Sequence, residues 1–262
     1  MTKSSDTPVL SVVVPSFNQA RFLGENLSEL LAYPGQVQAI VMDGGSRDGS
    51  AEMLERLLGN SHIWRSGPDG GQSAAINEGF SKATGAWVAF QNSDDFYVPG
   101  SLGPILNLMQ TTDADLIIGG AAACDVDGTV FKTMTPKPIF YPCMSVMNFI
   151  NNQSLFVRRS YLEKIGYLDP SLRFCLDYEW FLRLLRGRPK IVLLYDTVGV
   201  QRMHEDTKTS NIKHIHDQEF SELRMKYFSF GERLLGKFSI GAYRVFRFLW
   251  PVLVRRNRAT AS

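Results

Sequence analysis

Short apolar runs rich in β-branched residues alternate with helical periodicity through the first half of the chain. Residues 9–14 read as a buried strand that stops at Pro15. Leu23, Leu27, Leu30 and Leu31 then repeat at helical spacing and predict a helix over 21–31. Residues 38–42 predict a second strand, followed by a glycine-rich turn and a helix near 51–58. Strands at 62–65 and 87–91 flank a helix over 74–82. This βαβα alternation predicts an α/β fold, a mostly parallel sheet flanked by helices. The second half is less regular, with strands at 116–118, 129–133, 154–157 and 191–194 and a helix at 177–185. Residues 135–142 hold three prolines and read as an irregular loop with the character of a lid. No repeat, low-complexity tract or linker divides the chain.

In an open α/β sheet, ligands bind beyond the carboxyl ends of the strands. Four polar clusters fall there: Pro15-Ser16-Phe17-Asn18, Asp43-Gly44-Gly45-Ser46, Pro68-Asp69-Gly70-Gly71-Gln72 and Asn92-Ser93-Asp94-Asp95. Gathered at one edge of a sheet, they would form one site.

Asp43 ends a strand and precedes two glycines. Its carboxylate can accept hydrogen bonds from a nucleobase or ribose, or it can turn the chain ahead of the next helix. The oxygen cluster at 92–95 suits a hard divalent cation, Mn²⁺ or Mg²⁺, which keeps positions open for phosphate oxygens; it also suits a helix cap. Asp177 and Glu179 open a helix, where a carboxylate can take a proton from a hydroxyl or simply favour the helix dipole. His204 can complete a metal shell, and Arg202 or Lys208 can reach a diphosphate. A solvated loop explains that segment equally well.

Composition adds constraints. The three cysteines, Cys124, Cys143 and Cys175, are far apart and show no disulfide spacing, which suits a reducing, cytoplasmic setting. The first residues lack the apolar run of a signal peptide. The net charge of +2 is uneven: residues 224–258 carry nine Lys/Arg and one acid, a net +8. An acidic body with a basic tail argues against a nucleic-acid groove.

Taken in order, the motifs resemble those of the family 2 glycosyltransferases. They run from Ser11-Val12-Val13-Val14-Pro15-Ser16-Phe17-Asn18 through Asp43-Gly44-Gly45-Ser46, Pro68-Asp69-Gly70-Gly71-Gln72 and Asn92-Ser93-Asp94-Asp95. Asn152-Gln153-Ser154-Leu155-Phe156 and the segment at 177–183 continue the likeness, which spans about residues 8–210.

The resemblance implies a GT-A nucleotide-sugar fold over 1–215, with a donor half at 8–115, an acceptor half at 116–210 and a helical tail at 216–262. It implies a nucleotide-sugar donor, UDP-linked by first expectation, and a saccharide or lipid-linked saccharide acceptor. Transfer would invert the anomeric centre, in cell-envelope or polysaccharide assembly. Asp177 would be the general base, Asp94 and His204 the metal ligands. Pro15, Phe17, Asn18, Asp43, Asp69, Gln72, Asn77, Asn92, Ser93, Gln153, Glu179, Arg202 and Lys208 would contact substrate. Three departures stand out: Asn92 replaces the first acid of a DXD-like motif, Gly44 replaces a second acid after the second strand, and Ile76 replaces an arginine before Asn77.

Over residues 228–254 the tail interleaves Phe230, Leu234, Leu235, Phe238, Ile240, Phe246, Phe248, Leu249 and Trp250 with Arg233, Lys237, Arg244 and Arg247. It is too charged to span a bilayer. It reads as a basic amphipathic helix on the inner face of a membrane, or as a helix packed on the core. Other function classes are a catalytically silent nucleotide- or sugar-binding module and a dinucleotide oxidoreductase; the second lacks a GxGxxG after the first strand.

Overall fold

The computed structural model describes residues 7–59, 62–204 and 213–240. In the first half, β1 (Leu10–Ser16), β2 (Val37–Asp43), β3 (Ile63–Ser66) and β4 (Trp87–Phe90) alternate with α1 (Ala20–Leu31), α2 (Ser50–Leu58) and α3 (Gln72–Lys82). The second half contributes β5 (Phe96–Tyr97), α4 (Leu102–Thr111), β6 (Leu116–Cys124), β7 (Val130–Met134), α5 (Tyr141–Met144), β8 (Leu155–Arg158) and α6 (Arg159–Ile165). It ends with α7 (Leu176–Arg186), β9 (Ile191–Arg202) and α8 (Lys213–Tyr227).

Among the described residues, nine strands form one sheet in the order β3-β2-β1-β4-β8-β6-β9-β5, with β7 paired to β6. The β1–β2, β2–β3, β1–β4 and β6–β9 pairs are parallel; the pairs made by β5, β7 and β8 are antiparallel.

β1, β2 and β4 are mostly apolar and buried because helices cover both faces of the sheet there. On β1, Val13 joins the core formed with α3 and α7, whereas Val12 and Val14 join the core formed with α1, α2 and α4. Period-two alternation places neighbours on opposite faces. The α3 helix sits very close to β1: a Cβ on Gly79 would lie 2.3 Å from Cγ1 of Val13.

The parallel register brings Ser16 opposite Asp43, and Asp43 opposite Ser66. Consequently the polar turns after β1, β2, β3 and β4 emerge at one edge. Three local expectations change. The last strand continues well past residue 194, because its polar second half pairs with β5 and the upper part of β6. There Gly199 crosses so near the chain that a Cβ would lie 2.0 Å from the Gln153 carbonyl oxygen. The proline-rich loop is irregular over 135–140, but Pro142 begins α5, and none of its residues lines the cavity described below.

The expected division at 215/216 falls inside α8. Leu223, Tyr227 and Phe228 bury into the same core as α3 and α7, so the first turns beyond residue 216 belong to the body of the protein. The chain is helical again over 230–240, where Phe230, Leu234, Leu235 and Phe238 remain exposed. No helix among the described residues is long and apolar enough to cross a membrane. The remainder of the expected tail lies outside the described residues.

Candidate active site

A cavity of about 1170 Å³ opens at the carboxyl edge of the sheet. It is lined by Pro15, Phe17, Asn18, Gly44, Asp69 and Gln72, by Asn92, Ser93 and Asp94, and by Asp177 of α7 with residues of α8. All four polar turns and Asp177 therefore share one chamber.

The loop after β4 is held by its own hydrogen bonds. Asn26, buried on α1, donates from Nδ2 to the carbonyls of Asn92 and Asp95 at 2.9 and 2.8 Å. Asn92 accepts from Gln72 Nε2 at 2.8 Å and donates to Asp95. Asp95 is 2% exposed and accepts from Gln153 Nε2 at 2.7 Å and from the Arg202 backbone N–H at 2.9 Å. Burial, and then the charge of Asp94, hold its carboxyl above the usual range. With its neighbours pinned, Asp94 projects toward the cavity, its Oδ2 3.0 Å from His204 Nε2.

That pair offers one carboxylate oxygen and one imidazole nitrogen. A hard divalent ion is commonly held by one or two carboxylates, with phosphates and water completing its shell. The donor set fits such an ion in combination with a diphosphate. Among the described residues, no group of three or more His, Cys, Asp or Glu could hold a metal by itself.

Asp177 sits in the first turn of α7, half-buried at the cavity, and accepts from the Tyr178 backbone N–H at 2.7 Å. Desolvation pushes its carboxyl up to about 6, against smaller lowering effects from backbone hydrogen bonds and His216. A carboxylate so raised still ionises at neutral pH and is a better proton acceptor than an ordinary aspartate.

Several residues expected at the substrate are elsewhere. Asp43 is 0% exposed; its two oxygens accept from Gly45 N, Ser46 N, Ser46 Oγ and Ser66 Oγ. It shapes the turn from behind the wall. Asn77 exchanges two 2.9 Å hydrogen bonds with the Leu168 backbone. Gln153 is 2% exposed and spent on Asp95.

Glu179 pairs with Arg183 Nε at 2.9 Å and accepts from the Tyr227 hydroxyl, all inside the protein. Two residues along a helix is a turn of about 200°, so Glu179 must face away from Asp177.

Arg202 is 3% exposed. Its guanidinium pairs with Glu25, donates to the carbonyls of Asp94 and Val126, and lies over the rings of Phe22 and Phe96. It braces the loop after β4 and does not reach the cavity. Lys208 lies outside the described residues.

Sequence reasoning missed Arg21, Arg173, His216 and Phe220, all on the cavity wall. Phe220 stacks on Tyr178 with ring centroids 4.8 Å apart, and His216 stacks on Phe220 at 6.1 Å. The spacing Phe220-Leu223-Tyr227 is a short helical stripe that could have revealed this wall.

The model of the family described as glycosyl transferase family 2 matches residues 11–168. The chain belongs to that family. A glycosyltransferase from Rickettsia felis is 24% identical over 228 residues, covering 82% of this chain. The chain spans only 37% of that relative's length. Staphylococcus aureus TarS 1-349, solved with UDP-GlcNAc, superposes with a TM-score of 0.63 at 18% identity, over 82% of this chain and 64% of the other. Mannosyltransferase PcManGT from Pyrobaculum calidifontis, solved with GDP-Man and Mn²⁺, gives 0.55 at 16% identity, over 78% and 59%. The fold is that of the GT-A transferases, and residues 11–168 form a family 2 glycosyl transferase domain.

Proposed function

We propose that this family 2 member moves a sugar from a nucleoside diphosphate donor, uridine-linked by preference, to a hydroxyl of a saccharide or lipid-linked saccharide, with inversion. One observation carries the reading: Asp94, with His204 Nε2 3.0 Å from its Oδ2, and Asp177 line a single cavity. The donor would lie along the strand ends. Phe17, 61% exposed, offers a ring face to a base.

Asp69 is the acid best placed to accept from the nucleoside. It lines the cavity, and a Cβ on Gly44 would lie 3.2 Å from its Oδ2 and 3.2 Å from the Phe17 ring. The carboxylate thus stands beside the place where a second acid after β2 would project.

Asp177 would accept the proton of the acceptor hydroxyl as that oxygen attacks the anomeric carbon; the bond to the diphosphate oxygen breaks on the opposite face. One base on one face is enough for a single displacement. Asp94 and His204 would hold Mn²⁺ or Mg²⁺, which when bound supplies counter-charge to the leaving diphosphate.

The exposed Phe230 and Phe238, beside Arg233 and Lys237, support a peripheral contact with an anionic membrane face, where a lipid-linked acceptor of envelope or polysaccharide assembly would be met.

The test is a thermal-shift panel of nucleoside diphosphates and nucleotide sugars, with and without Mn²⁺. A bound ligand stabilises the folded state according to its occupancy. Uridine diphosphate with Mn²⁺ should give the largest rise. A shift without turnover on any acceptor would favour a silent binding module, and no shift with any nucleotide would refute the reading.

A further inference from the structure

The turn that leads into α7 is short of internal partners. Its backbone N–H groups at Arg173, Phe174 and Cys175 all meet one side chain. Glu219 of α8 accepts from Arg173 N at 2.9 Å through Oε1, and from Phe174 N and Cys175 N at 3.0 and 2.9 Å through Oε2. The next residues are Leu176 and Asp177. Three successive amides converging on one carboxylate fix the path of the chain just before the acid on the cavity wall. Charge-assisted bonds of this kind are stronger than neutral ones. They keep Glu219 ionised, holding its carboxyl below the usual range against the opposing effect of burial.

We propose that Glu219 is a positioning residue for sugar transfer: it clamps the 173–175 turn so that Asp177 meets the acceptor hydroxyl. The proposal rests on the reading of Asp177 as the base. It makes α8 a working part of the enzyme. Nothing else among the described residues accepts from these three amides in its place. The Cys175 N–H shares Oε2 with Phe174, so a substitute acceptor must supply two oxygens at once. Glutamine supplies one; its amide nitrogen would face a backbone N–H. Misplacing a reacting group by about 1 Å costs roughly 100-fold in rate.

The experiment compares full-length wild type, Glu219→Gln, Glu219→Asp, Asp177→Asn and the exposed-face control Glu222→Gln. Product formation is measured against pH, with folded protein counted by nucleotide binding. Glu219→Gln should bind nucleoside diphosphate within about twofold of wild type yet lose 10- to 100-fold in kcat. The acid limb of its kcat profile should move from about 6 toward the ordinary aspartate value near 4 as Asp177 gains water. Glu219→Asp, keeping two oxygens, should recover part of that loss, and Glu222→Gln should match wild type.

If Glu219→Gln lowers melting temperature while kcat per folded molecule and its acid limb stay at wild-type values, Glu219 merely braces the fold and the proposal fails. If Asp177→Asn retains turnover, the underlying assignment of the base fails instead. The two failures are distinct.

Discussion

Asp177→Asn should trade activity for stability, and the size of the trade follows from burial. In the folded protein the Asp177 carboxyl is raised from 3.8 to about 6 because its charged form is poorly solvated. Each pKa unit corresponds to 1.36 kcal/mol, so holding the ionised carboxylate costs the fold about 3 kcal/mol. Partial exposure at the cavity makes that an upper figure.

The sign follows from proton binding. Between pH 4 and 6 the folded state binds more protons at this site than the unfolded state, so stability falls as pH rises through that window. Asparagine keeps the oxygen that accepts from Tyr178 N–H and carries no charge. At pH 8 the variant should therefore be more stable than wild type by up to about 3 kcal/mol, a gain in melting temperature of up to about 10 °C for a chain of this size. At pH 4 the gain should vanish.

Asp95 is also raised, but it titrates in both proteins and cancels in the difference. The assay is a pair of denaturant titrations at each pH, with transfer measured alongside. Turnover should fall at least 100-fold. A variant no more stable than wild type at pH 8 would sink the claim that Asp177 is held there against its own solvation.

Further outcomes follow from other contacts. Asp94→Asn and His204→Ala should each remove most of the Mn²⁺-dependent part of the uridine diphosphate thermal shift; an unchanged shift would move the ion elsewhere. Arg202→Met should destabilise by about 2–4 kcal/mol in urea titration, because it leaves the carbonyls of Asp94 and Val126 without their donor and removes the partner of half-exposed Glu25; a loss under about 1 kcal/mol would contradict its bracing role. Gly199→Ala should lower expression or melting temperature sharply, since its Cβ would overlap the Gln153 carbonyl. Phe230→Glu with Phe238→Glu should abolish co-flotation with vesicles containing anionic lipid while leaving nucleotide binding intact, and persistent flotation would exclude this face as the contact.

The first-half side of the cavity was largely legible in the sequence. β1, β2 and β4 are short, mostly apolar and buried, so the polar clusters that follow the strands could be assigned to one edge. What spacing could not reveal was which polar atoms were already engaged. Asp43 has the right position, but the turn that follows it and Ser66 of β3 already engage both of its oxygens. Arg202 reads as a free cation in a polar segment, yet that segment is the end of a long strand, whose pairing with β6 turns the guanidinium inward. Glu179 illustrates the opposite case, because helix geometry alone separates it from Asp177. The α8 wall was hidden by composition: its polar residues dilute the stripe made by Phe220, Leu223 and Tyr227, and the basic residues after 224 drew the reading toward a tail.

Arg202 has a consequence for how the molecule can be assembled and re-engineered. It comes from the end of β9, and it grips Glu25 on α1, the loop bearing Asp94 and the bend after β6. The loop that carries Asp94 is therefore locked in place by a strand encoded more than one hundred residues later. A fragment ending near residue 115 would hold most of the strand-end side of the cavity but not its finished shape. Chimeras that exchange the two halves between relatives should succeed only when both the arginine and its acidic partner travel with the graft.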